Sequence, residues 1–589
     1  MKKKLFPLAI GVFVLFGFGW LFSQQNPEEG KFQKTTDTYL DAYWKFYPTA
    51  ATLAGYHKYN DKLEDLSNKA IENHHDSLDS FNQELVTKVD KTKLGKEAQI
   101  DYDILRNAIE IELIRHESLL PWEYNPVFYN EIFFESVRSL LTREFAPLEA
   151  RLKSATERAK LLPGLIKQAK ENLKTPPQIF TETAIQQLPG VLDFYNNQVG
   201  KLIESGSPEA KAKFEAEVVK VVAALEDYKV YLETQLLPKS TGNFRLGEQI
   251  HVRLLSLTSE FSIPPTELVA RAKADYNNIR REMAIICLPF YRIMYPNINM
   301  EQLSTQYNEE QLRNIFIKGV FDKVKVEHGT EQGFIDQAKG DMDALKGFLT
   351  KSSLAPLPEA NPSVEAMPLA ESGVMLAKTV APGAYETGGA FSVQLAPIPE
   401  AWTDAQAASF LEEYNNYFLQ FWTSRNVYPG PFVPLFFTRQ STSLLRKLYP
   451  NPPLIKGWPT FVTDGLMLNG YGNYDLRLRL NQLKQQLKVV IDFQLELNIH
   501  EGGMTKEQAV QYMTGGGFQT DIEAELKWSQ ILLKPCEAAY AYIGLQEIID
   551  MEKDYKKAKG ESFSEKEFLQ KLLSFGPLPM RYLKTAMAQ

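Results

Sequence analysis

From about residue 31 to residue 350, apolar side chains return every three or four positions, a rhythm that admits little besides packed helices. In "DYDILRNAIEIELI", Leu105, Ala108, Ile109 and Leu113 fall along one face while Arg106 and Glu110 turn away from it. "PLEARLKSATERAKLLPGLIKQAKENL" continues the pattern, with Pro163 expected to bend or end its helix. "SPEAKAKFEAEVVKVVAALEDYKVYLETQLL" opens on Ser207 before Pro208, a start signal because the first helical N–H has no partner to lose. Stripes of this kind bury against one another, so the expected fold class is mainly α, a single large helical body.

Between about 350 and 400 the rhythm breaks. Pro, Gly and small residues accumulate, and the short runs "GVMLAKTV" and "AFSVQLA" read as strands bounded by turns. A small antiparallel β insertion near 360–397 is expected. Helices resume where Thr403 and Gln406 have capping-box spacing. Further on, Leu476, Leu480, Leu483, Leu487 and Val490 mark one long helix running into "NIHEGGMTKEQ". His500-Glu501 there looks like the start of a His-Glu-x-x-His zinc motif, but Met504 stands at the second histidine. That motif needs both histidines on one continuous turn. Gly502-Gly503 ends the helix first, and Thr505 with Gln508 starts the next. The segment is not half of a zinc motif.

A net charge of −8, from 65 basic and 73 acidic residues, argues against a nucleic-acid binder working through a basic surface. Cys287 and Cys536 are too few for a disulfide framework, and whether they pair with each other is left open. Lys2, Lys3 and Lys4 precede the apolar run Leu5 to Phe22, the layout of a secretory signal or, if uncleaved, of an N-terminal anchor over 1–23. No cysteine lies near it to carry a lipid. In either case the remainder is exported, periplasmic or facing outward from the membrane. No Gly-x-Ser-x-Gly elbow or phosphate-binding loop suggests another chemistry.

Several stretches resemble the domain-of-unknown-function 885 family, regarded as exported, zincin-like helical metallohydrolases. They begin with "PTAATLAGYHKYNDKLEDLS", carrying Gly55, His57 and Asp61, continue through "WEYNPVFY" and "FRLGEQIHVRLL", and end in "GMTKEQAVQYM" and "GPLPMRYL". The resemblance covers nearly the whole chain, a domain over 31–586. It implies a metal motif of the form His-Glu-x-Tyr-Pro-Gly-His-Phe, and the matching stretch is "RNVYPGPF". Tyr428, Pro429, Gly430 and Phe432 are kept. Arg425 stands at the first histidine, Asn426 at the general-base glutamate and Pro431 at the second histidine. In the following block, "FVTDGLMLNGYG", Asp464 is the one carboxylate that could stand for the third ligand.

A catalytic zinc takes three protein ligands and keeps one open position. Arginine offers no lone pair, asparagine cannot accept a proton from water, and proline offers no ligand. The resemblance therefore implies a non-catalytic member with no cofactor. Its retained cleft would bind a peptide or a cell-envelope fragment, with the membrane touched only through the N-terminal segment. The candidate pocket is Tyr428, Gly430, Asp464 and His500, with Tyr540 and Tyr542 flanking Ala541, where relatives carry a tyrosine. His500 reads equally as a pocket residue or as a cation at a helix C-terminus. Arg425 is expected to pair with Asp464. The alternative is a hydrolase rebuilt around His500 and Asp464. His74-His75 and His116-Glu117 read as solvated helix positions.

Overall fold

The structure is a computed structural model describing residues 26–588, so the N-terminal segment 1–23 lies outside the described residues. The expected long helix forms as Leu476–His500, capped at its start by the Asp475 side chain, which accepts from the Arg477 N–H. Leu480, Leu483, Leu487, Ile491, Leu495 and Ile499 bury one side of it against Cys287, Phe321, Met513 and Trp528. Val489, Val490 and Phe493 bury another side against Ala539, Tyr542 and Ile543. The helix thus sits inside the protein, packed on Pro265–Met294, Glu537–Lys559 and Phe418–Asn426. No helix among the described residues is long and apolar enough to cross a membrane.

Its far end behaves as the glycines imply. Gly503 takes φ +71°, and the next helix starts with Thr505 Oγ1 accepting from the Gln508 N–H while the Gln508 side chain accepts from Thr505 N–H. Thr403 and Gln406 make the same reciprocal cap. Each box satisfies two donors that a helix start leaves bare. Thr505→Ala is expected to lower stability by about 1 kcal/mol, seen as a small fall in thermal midpoint.

The earlier stripes also pack as read. Leu105, Ile109 and Leu113 are buried in one cluster. Pro126–Thr142, Leu148–Asn172 and Pro208–Tyr231 share a second. Pro163 does not end its helix, which runs from Leu148 to Asn172 with the proline inside. Cys287 and Cys536 are both buried and free.

The β insertion is a mixed sheet, not a purely antiparallel one. Ala377–Val380 (β2) and Ser392–Leu395 (β3) pair antiparallel as expected, but Ser363–Ala366 (β1) adds to the other edge of β3 in parallel, giving the order β1-β3-β2. The most apolar run takes the centre, where Val393 and Leu395 are fully buried, and the polar "SVEA" segment becomes an exposed edge.

A second correction concerns the histidines. His74 and His116 are buried, not solvated: His74 stacks on Phe46 at 4.0 Å and His116 packs on Trp122 at 4.6 Å. Only the outer pair behaves as expected, His75 meeting Glu117 at 3.3 Å. Helices Asn68–Lys88 and Lys96–Ile114 pack together and close over the inner rings, which single-helix spacing could not reveal. Burial pushes both imidazoles down, His74 to about 4 and His116 to about 3, so they stay neutral at pH 7.

Candidate functional site

Helix Phe418–Asn426 ends on Arg425 and Asn426, and a tight turn follows. Val427 and Tyr428 N–H both donate to the Thr423 carbonyl, at 2.8 and 2.9 Å, and Gly430 N–H donates to Ser424 at 3.0 Å. Gly430 takes φ +45°, and a Cβ there would meet the Val427 backbone at 2.8 Å, so the turn accepts only glycine. Pro431 then leads into helix Phe432–Arg439. Tyr428 is buried against Phe432, its hydroxyl unpartnered.

Arg425 and Asn426 edge a cavity of about 110 Å³. Lys456 enters it from helix Pro452–Gly465, and Gln485, Lys488 and Asp492 from the central helix. Glu523 and Lys527 come from Asp521–Leu533, and Lys534, Glu537 and Ala541 close the far wall. Met375, Leu376 and Ala377 of the β insertion complete the lining. Two of the cations are matched: Lys488 bonds Glu413 at 2.9 Å and Glu523 at 2.7 Å, and Lys527 meets Asp492 at 3.0 Å. Arg425, Lys456 and Lys534 form no ion pair among the described residues, and Arg425 does not reach Asp464. Burial pulls Arg425 and Lys456 below their ordinary values. Asp464 keeps its Oδ1 buried and unpartnered, and burial outweighs the nearby guanidinium, pushing its carboxyl up to about 7.

The remaining candidates stand apart from this cavity. His500 is 1% exposed, and its Nε2–H donates to the Ile531 carbonyl at 3.2 Å. Burial lowers its pKa, so it is a neutral ring and not a helix-end cation. It stacks on His251, ring centroids 5.1 Å apart. His251 in turn lies between Glu496 (3.0 Å) and Glu501 (2.6 Å). Burial alone would lower the His251 pKa, but its bonds to Cys536 and the two carboxylates push it up to about 11. Glu496 also accepts from the Cys536 and Ala538 N–H groups at the start of helix Glu537–Lys559. This assembly caps a helix. Its donor atoms are close enough for a metal set with Cys536, yet both ring nitrogens of His251 and both oxygens of Glu496 are already engaged. Tyr540 turns to Thr258 (3.1 Å) and Tyr542 to Asp275 (2.8 Å), leaving Ala541 between them on the cavity wall.

Lys456, Gln485 and Lys534 were not among the residues picked out from the sequence. One signal could have found part of the site: Lys484, Lys488, Asp492, Glu496 and His500 recur every four residues on the central helix, and all are at most 3% exposed. A charged row flanked by leucine and valine stripes, with the uncharged Gln486, Gln494 and Asn498 left for the solvent side, points inward.

A larger cavity of about 470 Å³ adjoins the first, sharing Met375 and Lys534. Tyr43, Tyr47, Phe128, Met367 and Val374 give it apolar walls, with Arg115, Glu131 and Lys378 among them.

Among curated proteins none matches the chain. It is similar to a solved structure from Shewanella oneidensis, provisionally described as a lipoprotein of unknown function, with 25% identity, a TM-score of 0.75, and 95% of this chain and 100% of that one covered. A second, from Colwellia psychrerythraea and also provisionally described as a lipoprotein, has 14% identity and a TM-score of 0.70, covering 95% of this chain and 98% of that one, and shares the fold. The model of a family of bacterial proteins of unknown function, DUF885, matches residues 48–587, and the chain belongs to that family.

Proposed function

We propose that this protein is a non-catalytic member of a zincin-like metallohydrolase lineage, exported, with a cleft that binds a peptide or cell-envelope ligand without cleaving it. One observation carries the reading. Where the family resemblance requires two histidines and a glutamate, the chain places a guanidinium, an amide and a proline beside further ammonium groups. The donor set does not fit zinc. Arg425 has no lone pair to give, and it brings positive charge to the place a dication would occupy. Asn426 cannot act as the general base and instead donates to the Trp422 carbonyl at 2.9 Å. The hydrolase alternative loses support from the separation of its parts: His500 is bonded to a backbone carbonyl, and neither it nor Asp464 lines the cavity.

Export is supported by the basic and apolar layout of residues 2–22 and by the lipoprotein descriptions of the two similar structures.

The purified protein is expected to leave a fluorogenic peptide library uncut with or without added zinc, and a chelator should leave its thermal midpoint unchanged. A zinc bound at the cleft would instead raise stability by about 2.7 kcal/mol at a hundredfold excess over its dissociation constant. Chelator-sensitive peptide hydrolysis, abolished by His500→Ala, would sink the non-catalytic reading.

A further inference from the structure

The small cavity holds more positive charge than its walls answer. Lys488 is matched, and Lys527 takes one oxygen of Asp492, whose other oxygen is buried without a partner. Arg425 feels Asp492 and Lys456 feels Glu537, yet five lining cations stand against three lining carboxylates. Arg425, Lys456, Lys534 and Glu537 form no ion pair among the described residues. A second, independent observation lies in the same wall. Gln485 is 2% exposed, and both its amide nitrogen and its amide oxygen lack a partner. Buried amides are normally bonded, and an orphaned one is costly. Half-buried cations without a paired counter-charge add a further cost. Lysine can escape by losing a proton; arginine cannot.

While the amide oxygen still needs a donor, an oxyanion answers the charge and the amide nitrogen together. Its charge offsets the cations, and its lone pairs accept from the Arg425 fork and the Gln485 amide, the kind of charge-assisted bonding at which arginine excels. The size of the cavity, about 110 Å³, suits one such group and not a whole ligand. The adjoining chamber of about 470 Å³ is in the range that holds small ligands, and Lys534 stands where the two meet.

We infer that the cleft holds its ligand by a terminal oxyanion, a carboxylate or a phosphate, seated among Arg425, Lys456, Lys534 and Gln485, with the body of the molecule in the larger chamber. This rests on the non-catalytic reading, since a zinc and this anion would occupy the same place.

Three probes at millimolar concentration test it on the purified chain: N-acetyl-trialanine, its C-terminal amide, and phenyl phosphate. The acid, the phosphate or both should raise the thermal midpoint, and the amide should not. Response to the acid alone assigns a carboxylate, and response to phenyl phosphate alone assigns a phosphate ester. Arg425→Gln and Lys456→Met should each weaken the response at least tenfold. Without ligand, Lys456→Met should melt at or above the wild type, because it removes an uncompensated charge, so loss of response there is not loss of fold. No shift with either anion, an equal shift with the amide, or an intact response in both variants would overturn the inference. Chromatography of the same tripeptide samples separates the two readings. Zinc-dependent cleavage would sink the non-catalytic function, whereas no cleavage with no binding would overturn the oxyanion alone.

Discussion

Glu413→Ala should be among the most destabilising single substitutions in this protein, by about 3–5 kcal/mol, the range for removing one partner from a buried charge pair. Glu413 is fully buried and holds Lys484 and Lys488 at 2.9 Å each, while its Oε2 also accepts from the Thr520 N–H at 2.9 Å. Lys488 continues to Glu523, whose other oxygen accepts from the Tyr414 hydroxyl at 2.8 Å. Alanine would leave Lys484 without an ion-pair partner in the interior. Conservative Glu413→Gln should be milder, since the amide oxygen can still accept. The network also sets an acid limit. Burial would raise the Glu413 pKa, but the two ammonium groups outweigh it and hold the carboxyl below its ordinary value. Its contribution is therefore complete above the unfolded-state pKa of about 4.3 and is lost as pH falls through the lower folded value. A thermal midpoint recorded from pH 7 down to pH 2 should show this loss in the wild type and a shallower slope in Glu413→Ala.

Gly544→Ala is the second large effect. Helices Pro452–Gly465 and Glu537–Lys559 cross with Gly457 and Gly544 at the contact. A Cβ on Gly544 would stand 1.9 Å from the Pro453 carbonyl oxygen, and one on Gly457 would stand 2.4 Å from the Gly544 carbonyl carbon. Both obstacles are backbone, so no side chain can swing aside. Overpacking of this kind costs about 1–3 kcal/mol or more, against a gain of roughly 1 kcal/mol from replacing glycine in a helix. Because both obstacles are backbone the upper end applies, and a net loss of about 2 kcal/mol is expected. Gly340→Ala is the control: it lies in helix Phe334–Ser352 with nothing within 4 Å of the added carbon, and should stabilise slightly. Because Lys456 and Ala541 ride on the two crossing helices, Gly544→Ala should also weaken any oxyanion response. An unchanged midpoint would show that the helices can part without strain.

The helical body was legible because a stripe such as Leu480, Leu483 and Leu487 has one physical use. The capping boxes at Thr403 and Thr505 were legible because they are local. Of the residues lining the small cavity, Arg425 and Asn426 were marked in the sequence because they belong to one contiguous stretch. Lys456, Gln485 and Lys534 come from different elements, and nothing in their own neighbourhoods marks them. His74 and His116 were misread for the same reason: their burial depends on a partner helix. The third strand was missed because "SVEA" has no apolar alternation, and its pairing with β3 depends on the sheet already being there.

The five-membered row on the central helix has one further consequence, for alignment. A leucine repeat of three and four looks nearly the same after a slip of one turn, so apolar contacts alone would tolerate the helix docking four residues out of place. The ionisable row does not repeat. Its order is lysine, lysine, aspartate, glutamate, histidine. Sliding it by one turn in one direction would put Asp492 where Lys488 now sits, carboxylate against the carboxylates of Glu413 and Glu523; sliding it the other way would bring Lys488 to the place of Asp492, against Lys527. Either displacement converts attraction into repulsion in a dry interior. The buried charges thus act as a key, rejecting misdocked packings that the leucines would accept.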